Sequence, residues 1–234
     1  MKLSPKIFYD TYFLLARGYP RQPALELIRS KHGLSQPQVA LLSRCIHPPT
    51  VNKEIASKKL GPSNIRDNCL VVDGFNQLTT IYAALKGEEL YLCTDTMLRD
   101  ALLAGPRHVI EHVDELAPIL RDALSLLSPS EVIVVLDSQP SHSGETAARL
   151  RRYNINTIVS RNADNEVINL SIRKKCIAAT SDIAITRKAP RIFDLARFTI
   201  EEILQKRLGK KSRINNIPLL LRNEHNTWCR HIVI

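Results

Sequence analysis

The chain has 234 residues, of which 44% are hydrophobic and 24% charged, with a net charge of +10. That length holds one α/β domain plus a small appendage, and the apolar content excludes a disordered chain. The positive charge favours a polyanionic partner, the 5% aromatic content argues against extensive base stacking, and no apolar run reaches the ~18 residues of a membrane span.

Residues 1–48 read as a helical N-terminal region. Pro5 opens a helix to about Ala16, with Ile7, Tyr9, Phe13 and Leu14 as its apolar face, and Gly18-Tyr19-Pro20 ends it. A second helix fits Pro23 to Lys31 and stops at Gly33. Ser35-Gln36-Pro37-Gln38 has the form of a capping box for a third, which carries Val39, Leu41, Leu42 and Ile46. Three short helices raise the idea of a helix-turn-helix. The reader helix, Gln36 to Cys45, has only Arg44 as a cation, which favours a helical appendage, packed on the main domain or docking a protein partner. The start Met1-Lys2-Leu3-Ser4-Pro5-Lys6 is no signal core. The five scattered cysteines (Cys45, Cys69, Cys93, Cys176, Cys229) form no Cys-x-x-Cys. Both features point to the reducing cytoplasm, with the cysteines of apolar runs acting as small core residues.

Residues 49–67 read as a linker, with a short helix around Val51–Lys58. From Asp67 onward strands and helices alternate. Strands fit 69–72, 89–94, 131–136, 155–160 and 176–180, with a sixth at 191–193. Helices fit about 77–86, 96–104, 114–127, 144–152, 164–174 and 199–208. Val/Ile runs without polar alternation suit strands buried on both faces, so residues 68–208 predict an α/β domain with a mostly parallel sheet flanked by helices. Residues 209–234 form a basic C-terminal extension. The cluster Lys206 to Arg213 at its start suits phosphate contact and a solvated helix end equally.

Three apolar runs close on an aspartate. Cys69-Leu70-Val71-Val72 precedes Asp73-Gly74-Phe75-Asn76, Val132 to Leu136 precedes Asp137, and Ile177 to Ser181 precedes Asp182. In a parallel sheet such strand ends share one edge, where open α/β sheets bind ligands. Gly74 allows a tight turn or close approach to a ligand. Asp164, just after the strand ending near Ser160, falls at a helix start on the same edge. Taken singly, each aspartate reads as a structural cap. Together they repel unless a cation or a raised pKa relieves them, and Mg²⁺ or Mn²⁺ is the natural relief.

Other polar groups border this edge. Ser138, Ser141 and Ser143 follow Asp137 in a turn that leads into a helix, where hydroxyls and backbone N–H groups either hold a phosphate or cap the helix. His142 reads as a surface loop residue. Asp95 caps a helix starting near Thr96, and Arg99 binds phosphate or pairs with a carboxylate. His108 and His112 lack a third metal ligand and read as a solvated helix face. His225, Cys229 and His231 match no standard zinc spacing. There is no Gly-x-Gly-x-x-Gly and no Walker loop.

Val71-Val72-Asp73-Gly74-Phe75-Asn76 resembles the first-strand motif of the PIN and NYN nuclease-like superfamily. Arg161-Asn162-Ala163-Asp164 resembles its mid-domain aspartate, and Ala179-Thr180-Ser181-Asp182 its later strand end, in the same order. The whole chain also resembles an uncharacterised archaeal family with a helical N-terminal region and a PIN-like C-terminal domain. That likeness rests on Arg17 to Pro20, Ala24 to Leu27, Gly33 to Ser35, Leu98 to Asp100, Asp137-Ser138 and Ser141 to Gly144. The resemblance implies a PIN-like, Rossmann-like sheet and Mg²⁺ or Mn²⁺-dependent cleavage of RNA. Asp73, Asp164 and Asp182 would be metal ligands, directly or through water, and Asn76 would orient Asp73 or the substrate. Asp137 stands at a strand end where many members carry no such group. The segment 88–112 and the pair Gln139-Pro140 also depart from the simplest PIN domains.

The expectation is therefore a metal-dependent ribonuclease with Asp73, Asp137, Asp164, Asp182 and Asn76 at its centre. Ser138, Ser141, Ser143 and Arg99 would bind substrate. The alternative is a PIN-like RNA-binding or scaffold module without turnover. A small-molecule phosphohydrolase ranks last, because Phe75 stands where an Asp-x-Asp pair needs its second acid.

Overall fold

The computed structural model describes residues 3–101 and 105–222. Its centre is a parallel sheet ordered β5-β4-β1-β6-β7, from β1 (Cys69–Asp73), β4 (Glu131–Asp137), β5 (Thr157–Ser160), β6 (Ile177–Ala179) and β7 (Ile192–Phe193). Side chains alternate between its faces. Leu70, Val72, Val134 and Leu136 join one apolar cluster, and Val71, Ile133 and Val135 join another. Helices α5 (Gly74–Leu85) and α7 (Val113–Leu127) cover the first face. Helix α9 (Ala163–Arg173) and α10 (Ile183–Lys188) cover the second. A sheet buried on both faces needs the uninterrupted apolar strands seen in the sequence.

The N-terminal region is all-helical: α1 (Pro5–Ala16), α2 (Arg21–His32) and α3 (Gln36–Cys45). Gly33 ends α2 in the left-handed conformation at φ 61°, and Gln38 accepts the Ser35 N–H at 2.9 Å, as the capping-box spacing predicts. Residues 49–67 are packed. They hold α4 (Pro49–Lys58) and a 3₁₀ turn (Pro62–Asn64), bury Ile55 and Ile65, and the Leu60 N–H reaches the Ile192 carbonyl at 2.8 Å.

The segment 89–104 departs from expectation. β2 (Glu89–Leu92) leaves the main sheet and forms a second one, ordered β3-β2-β8, with β3 (Leu98–Asp100) and β8 (Arg213–Asn216). The helix expected from Thr96 is instead a turn and a strand; residues 102–104, the end of that predicted helix, lie outside the described residues. Asp95 does cap, but it caps the turn: its Oδ1 accepts the Met97 N–H at 3.1 Å, and Thr96 takes φ 66°. The same short acid that starts helices also closes turns. α6 (Pro106–Glu111) then leads into α7. The start of the basic extension supplies β8, and Ile217 and Leu221 pack into the N-terminal cluster.

The cysteines are core residues but not free ones. Cys69 pairs with Cys176 and Cys45 with Cys93. The first pair follows from register. Leu70 lies opposite Ile177 on adjacent parallel strands, which brings the preceding residues together. The pairing removes the sequence argument for a reducing compartment. Cys229 lies outside the described residues. Among those described, no helix is long and apolar enough to cross a membrane.

Candidate acidic site at the switch point of the sheet

After β1 the chain builds outward through β4 and β5, then returns to the other side of β1 for β6 and β7. β1 is therefore the switch point, where a crevice opens beyond the carboxyl ends of the strands. A cavity of 510 Å³ lies there, lined by Asp73, Asp137, Asp164 and Asp182 with Asn76 and Phe75. Pro106, Gln139, Pro140 and Ala163 complete its wall, so no lysine or arginine is among the described lining residues.

Each carboxylate arrives by a different route. Asp73 is the last residue of β1 and only 8% exposed; its Oδ2 accepts from the Thr180 hydroxyl at 2.8 Å. Burial, with the charges of Asp182 and Asp164 adding to it, pushes the Asp73 carboxyl up to about 7. Asp182 caps α10, its Oδ1 accepting the N–H groups of Ala184 at 2.7 Å and Ile185 at 3.2 Å. Asp164 sits in the first turn of α9 and is not its cap. Asn162 fills that position by accepting the Asn165 N–H at 3.3 Å. Burial, then Asp182 and Asp137, raise the Asp164 pKa, against a weaker pull from Lys188. Asp137 ends β4 and turns its Oδ1 to the Gln139 N–H at 2.8 Å.

Asn76 turns its amide oxygen into the protein. It accepts from the Ser181 N–H and hydroxyl, both at 3.0 Å, and from Gln77 Nε2 at 2.8 Å. Its backbone N–H also serves Asp73. Thr180 bridges two acids, since its Oγ accepts the Asp182 N–H at 3.0 Å while donating to Asp73. The buried Gln77 was not singled out from the sequence, and Thr180 entered only as part of the Ala179-Thr180-Ser181-Asp182 strand end. Thr180 carried a signal, a polar residue set directly after an apolar run, and Gln77 carried none. Gly74 does make a close approach, but to β4 and not to a ligand. A Cβ there would stand 2.5 Å from Leu136 Cδ2 and 2.9 Å from the Val135 carbonyl.

None of the four expected substrate contacts lines this cavity. Arg99 is 2% exposed and gives its guanidinium to Asp95 at 2.8 and 2.6 Å and to the Ser181 carbonyl at 2.8 Å. It is an internal anchor, so phosphate cannot reach it. Ser143 is buried and donates to the Pro140 carbonyl at 2.7 Å, which makes it a turn residue. Ser141 lines a neighbouring cavity beside Pro140. Ser138 is exposed, and its N–H extends the β4–β5 ladder to Ser160. His108 and His112 pack against the Tyr82 ring at 5.3 and 5.0 Å, and exposed His142 pairs with Glu145 at 2.9 Å. His225, Cys229 and His231 lie outside the described residues.

The donor set suits a hard divalent cation: oxygen only, from several elements, with repulsion to be relieved. Among the described residues, no three acidic, histidine or cysteine side chains already stand close enough to hold an ion together.

Residues 62–198 match the domain of unknown function DUF5616, and residues 6–58 match the protein of unknown function DUF434. The boundary between the matches falls between α4 and the 3₁₀ turn. The chain is also similar to the uncharacterized protein MJ0935 of Methanocaldococcus jannaschii, 28% identical over 209 residues that cover 84% of this chain and 96% of the relative. No solved structure matches.

Proposed function

The chain belongs to the DUF5616 family, and from that premise we propose that its acidic edge is a metal-dependent centre for hydrolysing RNA phosphodiesters. The observation that carries this reading is the convergence of Asp73, Asp137, Asp164 and Asp182 on one cavity whose described wall holds no cation of the protein's own. A scaffold would close such a set with lysine or arginine, as this chain does around Asp95. The fold is read as PIN-like.

Asp73, Asp164 and Asp182 would hold Mg²⁺ or Mn²⁺. When bound, the ion supplies charge stabilisation for the phosphoryl group and lowers the pKa of water. The chain's own part is orientation. Thr180 and the Asn76 N–H fix Asp73, Asn76 and Arg99 grip the two sides of the Ser181 peptide, and the α10 N–H groups fix Asp182. Water adds to phosphorus and the P–O bond to the leaving ribose oxygen breaks, giving a phosphate monoester and a hydroxyl. The net charge of +10 draws the RNA to the surface.

The test is incubation of the chain with structured and unstructured RNAs, with Mn²⁺ or with chelator, beside Asp73→Asn and Asp182→Asn. Cleavage that needs both metal and the carboxylates supports the reading; equal cleavage by both folded variants defeats it. A second reading, an RNA-binding or scaffold module without turnover, is favoured by the spread of the carboxylates. It requires RNA binding with no cleavage under any metal.

A further inference from the structure

A second cavity, of 470 Å³, opens between the N-terminal helices and the far end of α10, and its wall includes Tyr19, Arg21, Pro49, Thr50 and Arg187. It shares no lining residue with the acidic cavity, and no aspartate or glutamate is among its described lining residues.

Arg21 is half-buried and holds to neutral partners. Nη1 donates to the carbonyls of Ser43 at 2.7 Å and Ile46 at 3.1 Å, and Nη2 to His47 Nδ1 at 2.9 Å. A guanidinium has about five N–H donors, so two are left over. His47 adds no charge: its Nδ1 accepts from Arg21 while Nε2 serves the Arg44 carbonyl at 2.9 Å, and burial drops its pKa to about 4. Among the described residues no carboxylate pairs with Arg21. Burial and then the charge of Arg187 make Arg21 a weaker base than usual. Arg187 does meet Glu54, at 3.4 Å, but its side chain is 56% exposed in that pair, and such pairs contribute little.

Two guanidiniums thus share a cavity with no acid in its described wall, an arrangement that an anion relieves. The same wall holds the start of α4. There Pro48 and Pro49 have no N–H, Val51 N–H is taken by the Pro48 carbonyl, and Thr50 brings a hydroxyl. Tyr19, 55% exposed, offers a ring face beside them.

We propose that this cleft between α2, α4 and α10 is a binding site for a phosphate group, gripped by Arg21 and Arg187 and carried by a nucleotide or an RNA chain whose base stacks on Tyr19. Planar guanidiniums suit phosphate oxygens, and an aromatic face accepts any base. The site is independent of the acidic cavity and of any turnover there.

Isothermal titration of the full chain in chelator, with inorganic phosphate, adenosine monophosphate and a short single-stranded RNA, tests it. Arg187→Ala weakens binding about tenfold, the loss of one charge-assisted contact. Thr50→Glu abolishes binding yet leaves the fold intact, because an acid in the first turn of α4 is favourable to the helix. Losses seen with phosphate and the mononucleotide assign a free nucleotide. Losses seen only with RNA assign a chain phosphate. If none of the three probes binds the folded chain, or if binding is equal in the unsubstituted chain and both variants, the proposal is overturned.

Discussion

Asp73 and Asp95 are both buried aspartates near the same edge of the molecule, yet they are held in opposite ways. Asp95 meets Arg99 through two short bonds, has His47 Nε2 at 3.6 Å, and its carboxyl is held below the usual range by Arg99 against the opposing effect of burial. Asp73 has a hydroxyl, a backbone N–H and other carboxylates for company, and its carboxyl rises to about 7. The two regions touch through Ser181, whose carbonyl takes Arg99 while its N–H takes Asn76. A completed ion pair thus serves as the rigid backing for an uncompleted one. Burial alone does not single out a candidate site; burial without a cation does.

The sharpest break in that comparison is Arg99→Ala. It leaves Asp95 charged and buried, and the expected loss of about 3–5 kcal/mol is read by urea denaturation. Asp73→Asn by the same measurement leaves stability equal or higher, because it removes a repelled charge and keeps an oxygen for Thr180. Gly74→Ala comes next. The new methyl meets Leu136, Val134 and the β4 backbone, at a cost of about 1–3 kcal/mol or more.

The two regions also titrate with opposite sign. Asp73 binds its proton more tightly in the folded chain, so its contribution to stability falls as pH rises from about 4 to about 7. His47 binds its proton less tightly when folded, so its contribution falls as pH drops from 6.5 to about 4. In metal-free buffer, Asp73→Asn therefore makes the stability slope more positive than that of the unsubstituted chain, by about 1.4 kcal/mol per pH unit. His47→Asn makes it more negative below pH 6.5. Equal slopes would mean that neither environment is as described. The smallest effect is metal binding. Mg²⁺ or Mn²⁺ at about five times its dissociation constant stabilises the unsubstituted chain by about 1 kcal/mol, and does so less for Asp73→Asn and Asp182→Asn, read as a shift in Tm.

Much of this was legible in the sequence, and the failures have identifiable causes. Apolar runs ending in Asp73, Asp137 and Asp182 marked the strands and their shared edge, because a parallel sheet puts every strand end on one side. Asp164 was legible as a group at a helix start, though Asn162 proved to be the cap and left the carboxylate to the cavity. Arg99 was read as binding phosphate or pairing with a carboxylate, and the second alternative holds, although a turn and a strand, not the expected helix, bring it to Asp95. The pairing of Cys69 with Cys176 depends on which strands are neighbours, 107 residues apart in sequence, and no local pattern reports that. Gln77, which accepts the Ala196 N–H at 2.7 Å, is hidden for the same reason.

The central claim is that the uncompleted acidic edge, not the completed pair behind it, performs chemistry. Its most direct measurement is single-turnover cleavage of a labelled single-stranded RNA by the unsubstituted chain and by Asp73→Asn, each confirmed as folded, in Mn²⁺ and in chelator. The account predicts cleavage only by the unsubstituted chain in Mn²⁺, with a loss of at least about a hundredfold in the variant, as expected when a group that stabilises the transition state is removed. Equal cleavage by the two proteins, or cleavage undiminished by chelator, would contradict it.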